Sequence, residues 1–170
     1  MNNHSLENVV TDGVGLLSFG QIDRQRGFVP KLDTSNSENQ LASWEQWYAS
    51  IYEIAFQELT DEDFSRITNN GWYPEYFVPL SLSRLEVNAF IGYYHDGQLL
   101  ENIGIVYKGF LHDNPHLLNK YCDILNRALQ RLYTDGDRIP DADCVILQDG
   151  TTMFDDTHTK LLNVQVALSC

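Results

Sequence analysis

Apolar residues along this chain recur mostly at steps of three and four, the spacing that gathers them on one face of a helix. Leu41, Trp44, Tyr48, Ile51 and Ala55 keep that rhythm, and Trp47, Tyr52, Ile54 and Phe56 widen the face, which predicts a helix over 41–59 buried on more than one side. Ser37 and Gln40, at the end of the polar stretch DTSNSENQ (33–40), stand at capping-box spacing ahead of it. Thr60 and Asp63 repeat the spacing. Asp61, Glu62 and Asp63 lie where a helix start attracts carboxylates, Phe64 and Ile67 point inward, and Asn70-Gly71 supplies the stop. Pro74 opens a further helix to Val87, with Tyr73, Phe77, Leu80, Arg84 and Val87 as its expected face and Pro79 as a bend point. The most regular stripe is Leu117, Leu118, Tyr121, Leu125, Ala128 and Leu132, flanked by Ile124 and Leu129. Asn114 is its expected cap, Pro115 its first residue and Asp135-Gly136 its end.

Elsewhere the pattern shortens toward alternation. Val14–Phe19 reads as a short strand, as do Cys144–Leu147 and Thr151–Phe154 on either side of the Asp149-Gly150 turn, and Val164–Leu168 as a further one. Gln98–Tyr107 fits either a short helix starting near Asp96 or a strand through Ile103, Ile105 and Tyr107, following an aromatic segment Phe90–Tyr94 and a turn at His95-Asp96-Gly97. The predicted fold class is α+β, a predominantly helical single domain over 1–170 with a small antiparallel sheet toward the C-terminus and residues 1–8 disordered. No internal repeat and no dividing linker stands out.

Charge changes the picture most. Eleven Lys and Arg face 24 Asp and Glu, a net charge of −13. Such a chain is repelled by nucleic acid and anionic lipid and attracted to a basic surface. No run of 18 apolar residues occurs, and Met1–Leu6 lacks a basic start followed by an apolar core, so neither a membrane span nor a secretory signal is expected and a cytoplasmic location fits. Cys122, Cys144 and Cys170 are odd in number and widely spaced. That argues against a disulfide framework and for a reducing compartment, with Cys122 and Cys144 as core residues and Cys170 an exposed end.

Catalytic chemistry is sparsely signalled. His95-Asp96 and His112-Asp113 resemble metal-hydrolase pairs, and His158 follows Asp155-Asp156, yet each pair sits beside turn or cap residues such as Gly97 and Asn114-Pro115. There is no G-x-S-x-G, no P-loop and no G-x-G-x-x-G. No cofactor and no metal is expected. The densest feature is acidic: Asp135, Asp137, Asp141, Asp143, Asp149, Asp155 and Asp156 are accompanied by Arg138 alone. Turn chemistry with solubility explains such a run, as does a docking face for a basic protein; its spacing matches no EF-hand loop. Asp61, Glu62 and Asp63 form a second candidate patch, with Trp72, Tyr73 and Tyr94 as aromatic anchors.

The run YFVPLSLSRLEVNAFIGYYHDGQLLENI (76–103), then FLHDNPHLLNKYCDIL (110–125), resembles immunity proteins of bacterial polymorphic-toxin systems, those of contact-dependent growth inhibition (CDI) in particular. The shared elements are the V-P-L-x-L-x-x-L-E helix of Val78–Glu86, the Y-x-D-G-x-L-L type turn of Tyr94–Leu100 and the aromatic-led N-P-x-L helix start of Phe110–Leu117. The resemblance implies a small cytosolic non-enzyme that binds one cognate toxin domain, commonly a basic nuclease, as a monomer in a one-to-one complex, and blocks its active site or substrate groove. Two other readings compete: a small hydrolase using His95, His112 or His158 with nearby Asp, and an adaptor with an apolar partner. An enzyme needs its polar groups around one pocket, an immunity protein a broad acidic face, and the adaptor a large exposed apolar patch; a free sheet edge would also allow docking by strand addition.

Overall fold

The computed structural model describes residues 13–28, 43–135 and 153–170. All regular structure among them is helical, so the expected sheet is not found there. The segment 1–8, the Ser37/Gln40 cap, the Cys144–Leu147 strand and the Asp149-Gly150 turn fall outside the described residues. The chain divides into two compact units, 1–59 and 60–170.

In the first unit, 13–15 is helical and Ser18 caps helix α1 (Phe19–Gln25). Ser18 Oγ accepts from the Gln21 amide at 3.2 Å and Gln21 Oε1 accepts from the Ser18 amide at 2.9 Å. That capping box is why Val14–Phe19 is not the expected strand: Phe19 and Ile22, both buried, are an i, i+3 helical pair. Helix α2 (Ser43–Ile51) is shorter than the 41–59 expected, and a 3-10 turn (Phe56–Glu58) follows. The backbone between them pairs outward instead of continuing the helix: the Tyr52 carbonyl accepts from the Gly20 amide and the Phe56 amide donates to the Leu17 carbonyl. Phe19 meets Tyr48 and Phe56 edge to face, at ring separations of 5.3 and 5.2 Å. Trp44, expected on the buried face, is 55% exposed.

The second unit contains α3 (Asp61–Asn69), α4 (Pro74–Val87), α5 (Gln98–Val106), α6 (Lys108–Asp113), α7 (Pro115–Asp135) and α8 (Met153–Leu168). Helix α5 is central and packs against α3, α4, α6 and α8. Gln98, Leu99, Leu100, Asn102, Ile103 and Gly104 are all buried, so the segment is covered nearly all round, which settles the helix-or-strand ambiguity in favour of a buried helix. A Cβ at Gly104 would overlap Val164 Cγ1 and Tyr121 Oη, so the absent side chain lets α7 and α8 close on α5. Tyr121 donates to the Leu100 carbonyl at 3.0 Å from within that core.

Three expectations are corrected in this unit. On α4 the buried positions are Phe77, Val78, Ser81, Leu82 and Leu85, one residue round from the expected face, and Val87 is 88% exposed. Asn114 does not cap α7 with its side chain: Nδ2 donates back to the Phe110 carbonyl at 2.8 Å, while its own carbonyl receives the Leu117 and Leu118 amides. Met153-Phe154 and Val164–Leu168 belong to α8, not to strands. The alternation of Val164, Val166 and Leu168 coincides with a helical set, because Leu161, Val164 and Leu168 are buried and Val166 is 78% exposed.

The cysteines also depart from expectation. Cys122 of α7 and Cys170 are disulfide-bonded, with Cα atoms 5.2 Å apart. Helix α8 ends in a Schellman turn: the Ser169 amide donates to Val166 and the Cys170 amide to Gln165, with Ser169 at φ 57°, a position glycine usually fills. That turn brings the last residue back to α7.

Candidate functional site

The acidic first turn of α3 is built by its cap. Thr60 Oγ1 accepts from the Asp63 amide at 3.1 Å, and Asp63 Oδ2 accepts from the Thr60 amide at 3.0 Å and its hydroxyl at 2.7 Å. Asp61 accepts from Arg84 at 2.6 Å, and that guanidinium lies 4.1 Å over the Phe64 ring. Two of the three carboxylates are therefore engaged within the unit. Glu62 is exposed and has no hydrogen-bond or ion-pair partner among the described residues. It shares an α3 face with Arg66, one turn on.

Arg66 carries that face to the aromatic loop. Its guanidinium lies 5.1 Å from the Tyr93 ring centre, and Tyr93 meets Tyr94 edge to face at 4.4 Å. The loop is held from beneath by one side chain: Gln98 Oε1, buried, accepts from the Tyr93 amide at 2.9 Å and the Tyr94 amide at 2.8 Å. Gly97, at φ 77°, donates to the Phe90 carbonyl and closes the turn. Tyr94 is left 72% exposed. His95 Nε2 and Glu101 Oε2 lie 2.7 Å apart on the same loop and α5.

Trp72 and Tyr73 stand beyond the other end of α3. The Trp72 carbonyl accepts from the Tyr107 hydroxyl at 2.9 Å. Burial, then the charge of Glu75, raises that phenol above its ordinary range and keeps it a neutral donor. Tyr73 precedes Pro74 at φ 46°, a left-handed conformation rare for a bulky side chain and found where surroundings enforce it, often at functional surfaces. Ile105 and Val106 are exposed at the end of α5, with Val106 Cγ1 packed toward Gly71.

These groups lie along and just beyond α3, which spans about 13 Å for its nine residues. Carboxylates lie at its start, Arg66 with Tyr93 and Tyr94 beside its middle, and Trp72 and Tyr73 past its end. Asp61, Glu62, Asp63, Trp72, Tyr73 and Tyr94 of the expected residues are placed along it. Arg66 and Tyr93, which the fold sets against each other, were not among the expected residues, although Arg66 follows Glu62 at a helical step of four. Asp135 ends α7, and Asp155 and Asp156 lie in the first turn of α8. Asp137, Asp141, Asp143 and Asp149 lie outside the described residues. His112 lies in the last turn of α6 and His158 lies on α8; among the described residues no group of three or more His, Cys, Asp or Glu could hold a metal ion. No strand among them offers an edge for strand addition, and no helix among them is long and apolar enough to cross a membrane.

No curated protein and no solved structure matches the chain. The family model of the CDI immunity proteins matches residues 30–121, more than half of the 170-residue chain, a span that contains the whole α3 surface and stops before the Asp run. The chain belongs to the CDI immunity proteins.

Proposed function

We propose that this immunity protein neutralises a basic toxin domain of the nuclease class, by covering its active site or substrate groove, as a cytoplasmic monomer in a one-to-one complex and without catalysis of its own. The observation that carries the reading is the net charge of −13. A nuclease needs a positive surface to hold phosphate, and an acidic inhibitor competes for that surface and finds it quickly by electrostatic steering. The same charge disfavours direct contact with nucleic acid or anionic membrane.

The contact residues follow in two groups. The α3 surface offers the unpartnered Glu62 with Asp61 and Asp63 at the rim, and Trp72, Tyr73, Tyr93 and Tyr94 as anchors, the residue types that dominate interface energetics. The Asp run (135, 137, 141, 149, 155, 156) lies beyond the span the family shares, a suitable place for contacts that distinguish one cognate toxin from another.

The test pairs protection with kinetics. Cells making the cognate toxin survive with the wild-type chain and die without it. Changing Glu62→Gln together with Asp141, Asp149, Asp155 and Asp156→Asn should slow association about tenfold at low salt and flatten its salt dependence, with dissociation changing less. A folded variant that associates at the wild-type rate and protects fully removes the acidic face from the interface. A cognate toxin that is itself acidic overturns the nuclease assignment.

A further inference from the structure

We propose that Cys122 and Cys170 are a working thiol–disulfide couple that fastens the end of α8 to α7 and, through α8, sets the rigidity of the Tyr93–Tyr94 loop. The bearing on toxin binding rests on the reading of that loop as part of the docking face; the coupling itself does not.

Three observations meet here. The Cα separation of 5.2 Å lies within the range a disulfide spans. The Schellman turn, with Ser169 at φ 57°, turns Cys170 back toward α7. Helix α8 also supports the turn that follows the aromatic loop. Buried Thr157 donates its hydroxyl to the Asp96 carbonyl at 3.1 Å, and a Cβ at Gly97 would sit 3.2 Å from Thr157 Cγ2 and 3.7 Å from Leu161 Cδ1. The path from bond to loop runs the length of α8: Cys170 follows the turn that ends α8, Leu161 and Val164 seat α8 in the core, and Thr157, about three turns earlier, holds the turn that follows Tyr94.

Cys122 and Cys170 are each only partly buried, so a small thiol reagent can reach them. The oxidant we name is a low-molecular-weight disulfide such as oxidised glutathione. The Cys170 thiolate attacks one of its sulfurs and releases one glutathione thiolate, leaving a mixed disulfide. The Cys122 thiolate then attacks Cys170 Sγ and expels the second glutathione. The two cysteines are oxidised, one glutathione disulfide is reduced to two thiols, and the cysteine protons end on those thiols. In the reduced form α8 keeps the apolar contacts of Leu161, Val164 and Leu168, so the change is a loosening and not an unfolding.

The experiment needs no toxin. The full chain is equilibrated in buffers of oxidised and reduced glutathione, digested without reductant and mapped by mass spectrometry, while amide hydrogen exchange is followed at Tyr93 and Tyr94. Under oxidised glutathione the Cys122 and Cys170 peptides should appear linked, and the melting temperature should exceed that of the reduced chain by about 5–10 °C. Exchange at the two tyrosine amides should be about tenfold faster in the reduced chain. Cys170→Ser should match the reduced chain in both readouts under either buffer. Cysteines that stay free, stop at glutathione adducts or pair with Cys144 overturn the couple. Equal exchange at Tyr93 and Tyr94 in both forms overturns the link to the loop. Affinity for the toxin, measured afterwards on the two forms, tests the docking reading separately.

Discussion

Among the described residues of 13–59, half of the buried apolar side chains are aromatic and directed polar contacts tie them, whereas the described residues of 60–170 are held mainly by aliphatic stripes on longer helices. The first region sets Phe19 against Tyr48 and Phe56, buries Asp23 under the Tyr52 hydroxyl at 3.0 Å, and closes with an exposed Arg24–Glu53 fork. The second packs Leu82, Leu85, Leu99, Leu100, Ile103, Tyr121, Leu125 and Leu161 with almost no exposure. Aliphatic packing is insensitive to pH and depends on volume; a buried phenol–carboxylate contact depends on protonation and geometry. The two regions should therefore fail under different stresses.

The largest effect is expected at Leu125, fully buried on α7. Leu125→Ala should lower stability by about 2–5 kcal/mol, read as a shift in the urea midpoint, because a cavity opens where the helices interlock. An unchanged midpoint would place the weight of the second region elsewhere. A smaller effect is expected in the first. Tyr52→Phe should cost about 1–3 kcal/mol at neutral pH by taking a hydrogen bond from a buried carboxylate. Burial first, and then the bond to Asp23, pushes the Tyr52 phenol up to about 12. The folded chain thus keeps this proton to higher pH than the unfolded chain. Its stabilisation is complete below about pH 10, the ordinary phenol value, and is lost as pH rises toward 12. Tyr52→Phe should shrink that alkaline loss without abolishing it, since burial also raises Tyr48, Tyr107 and Tyr121. An alkaline profile identical to wild type would break the contrast drawn for this region.

Legibility in the sequence follows the same division. Tyr121, Leu125, Ala128 and Leu132 were readable because a long helix against one core repeats its apolar spacing several times. The Thr60–Asp63 box was readable because its chemistry is local. Helix α2 was overextended because Tyr52, Ile54 and Phe56 continue the helical rhythm, while the stop comes from backbone bonds to Leu17 and Gly20 that no local pattern announces. The end of α8 was misread for the converse reason, a helical set that also alternates. For the proposed docking face, charge and aromatic type suggested Glu62, Trp72, Tyr73 and Tyr94. What joins the face is nonlocal: Gln98 beneath two amides, Arg66 against Tyr93, and Thr157 under the turn. The disulfide went unread because Cys122 and Cys170 are 48 positions apart and three cysteines suggested none was paired.

The smallest expected effect on the fold separates packing from function most cleanly. Tyr94 is 72% exposed; its ring meets that of Tyr93, and its backbone N–H donates to Gln98 Oε1, a hydrogen bond that any residue but proline keeps. Tyr94→Ala should therefore change stability by no more than about 0.5 kcal/mol. Its consequence for the cognate toxin should be larger, because an exposed tyrosine on an ordered loop brings rigid apolar area at little entropic expense, and truncating such an anchor costs about 2 kcal/mol or more of binding. Val166→Ala on α8 is the control: Val166 is 78% exposed, so the fold should again be indifferent, and it lies outside the proposed face, so binding should be too. A Tyr94 variant that binds as tightly as the Val166 variant takes the aromatic loop out of the interface and leaves the carboxylates to carry recognition. A Tyr94 variant that melts early instead shows that the loop braces the helices around α5, and the apparent division between a packed interior and a presenting surface would have to be redrawn at Gln98.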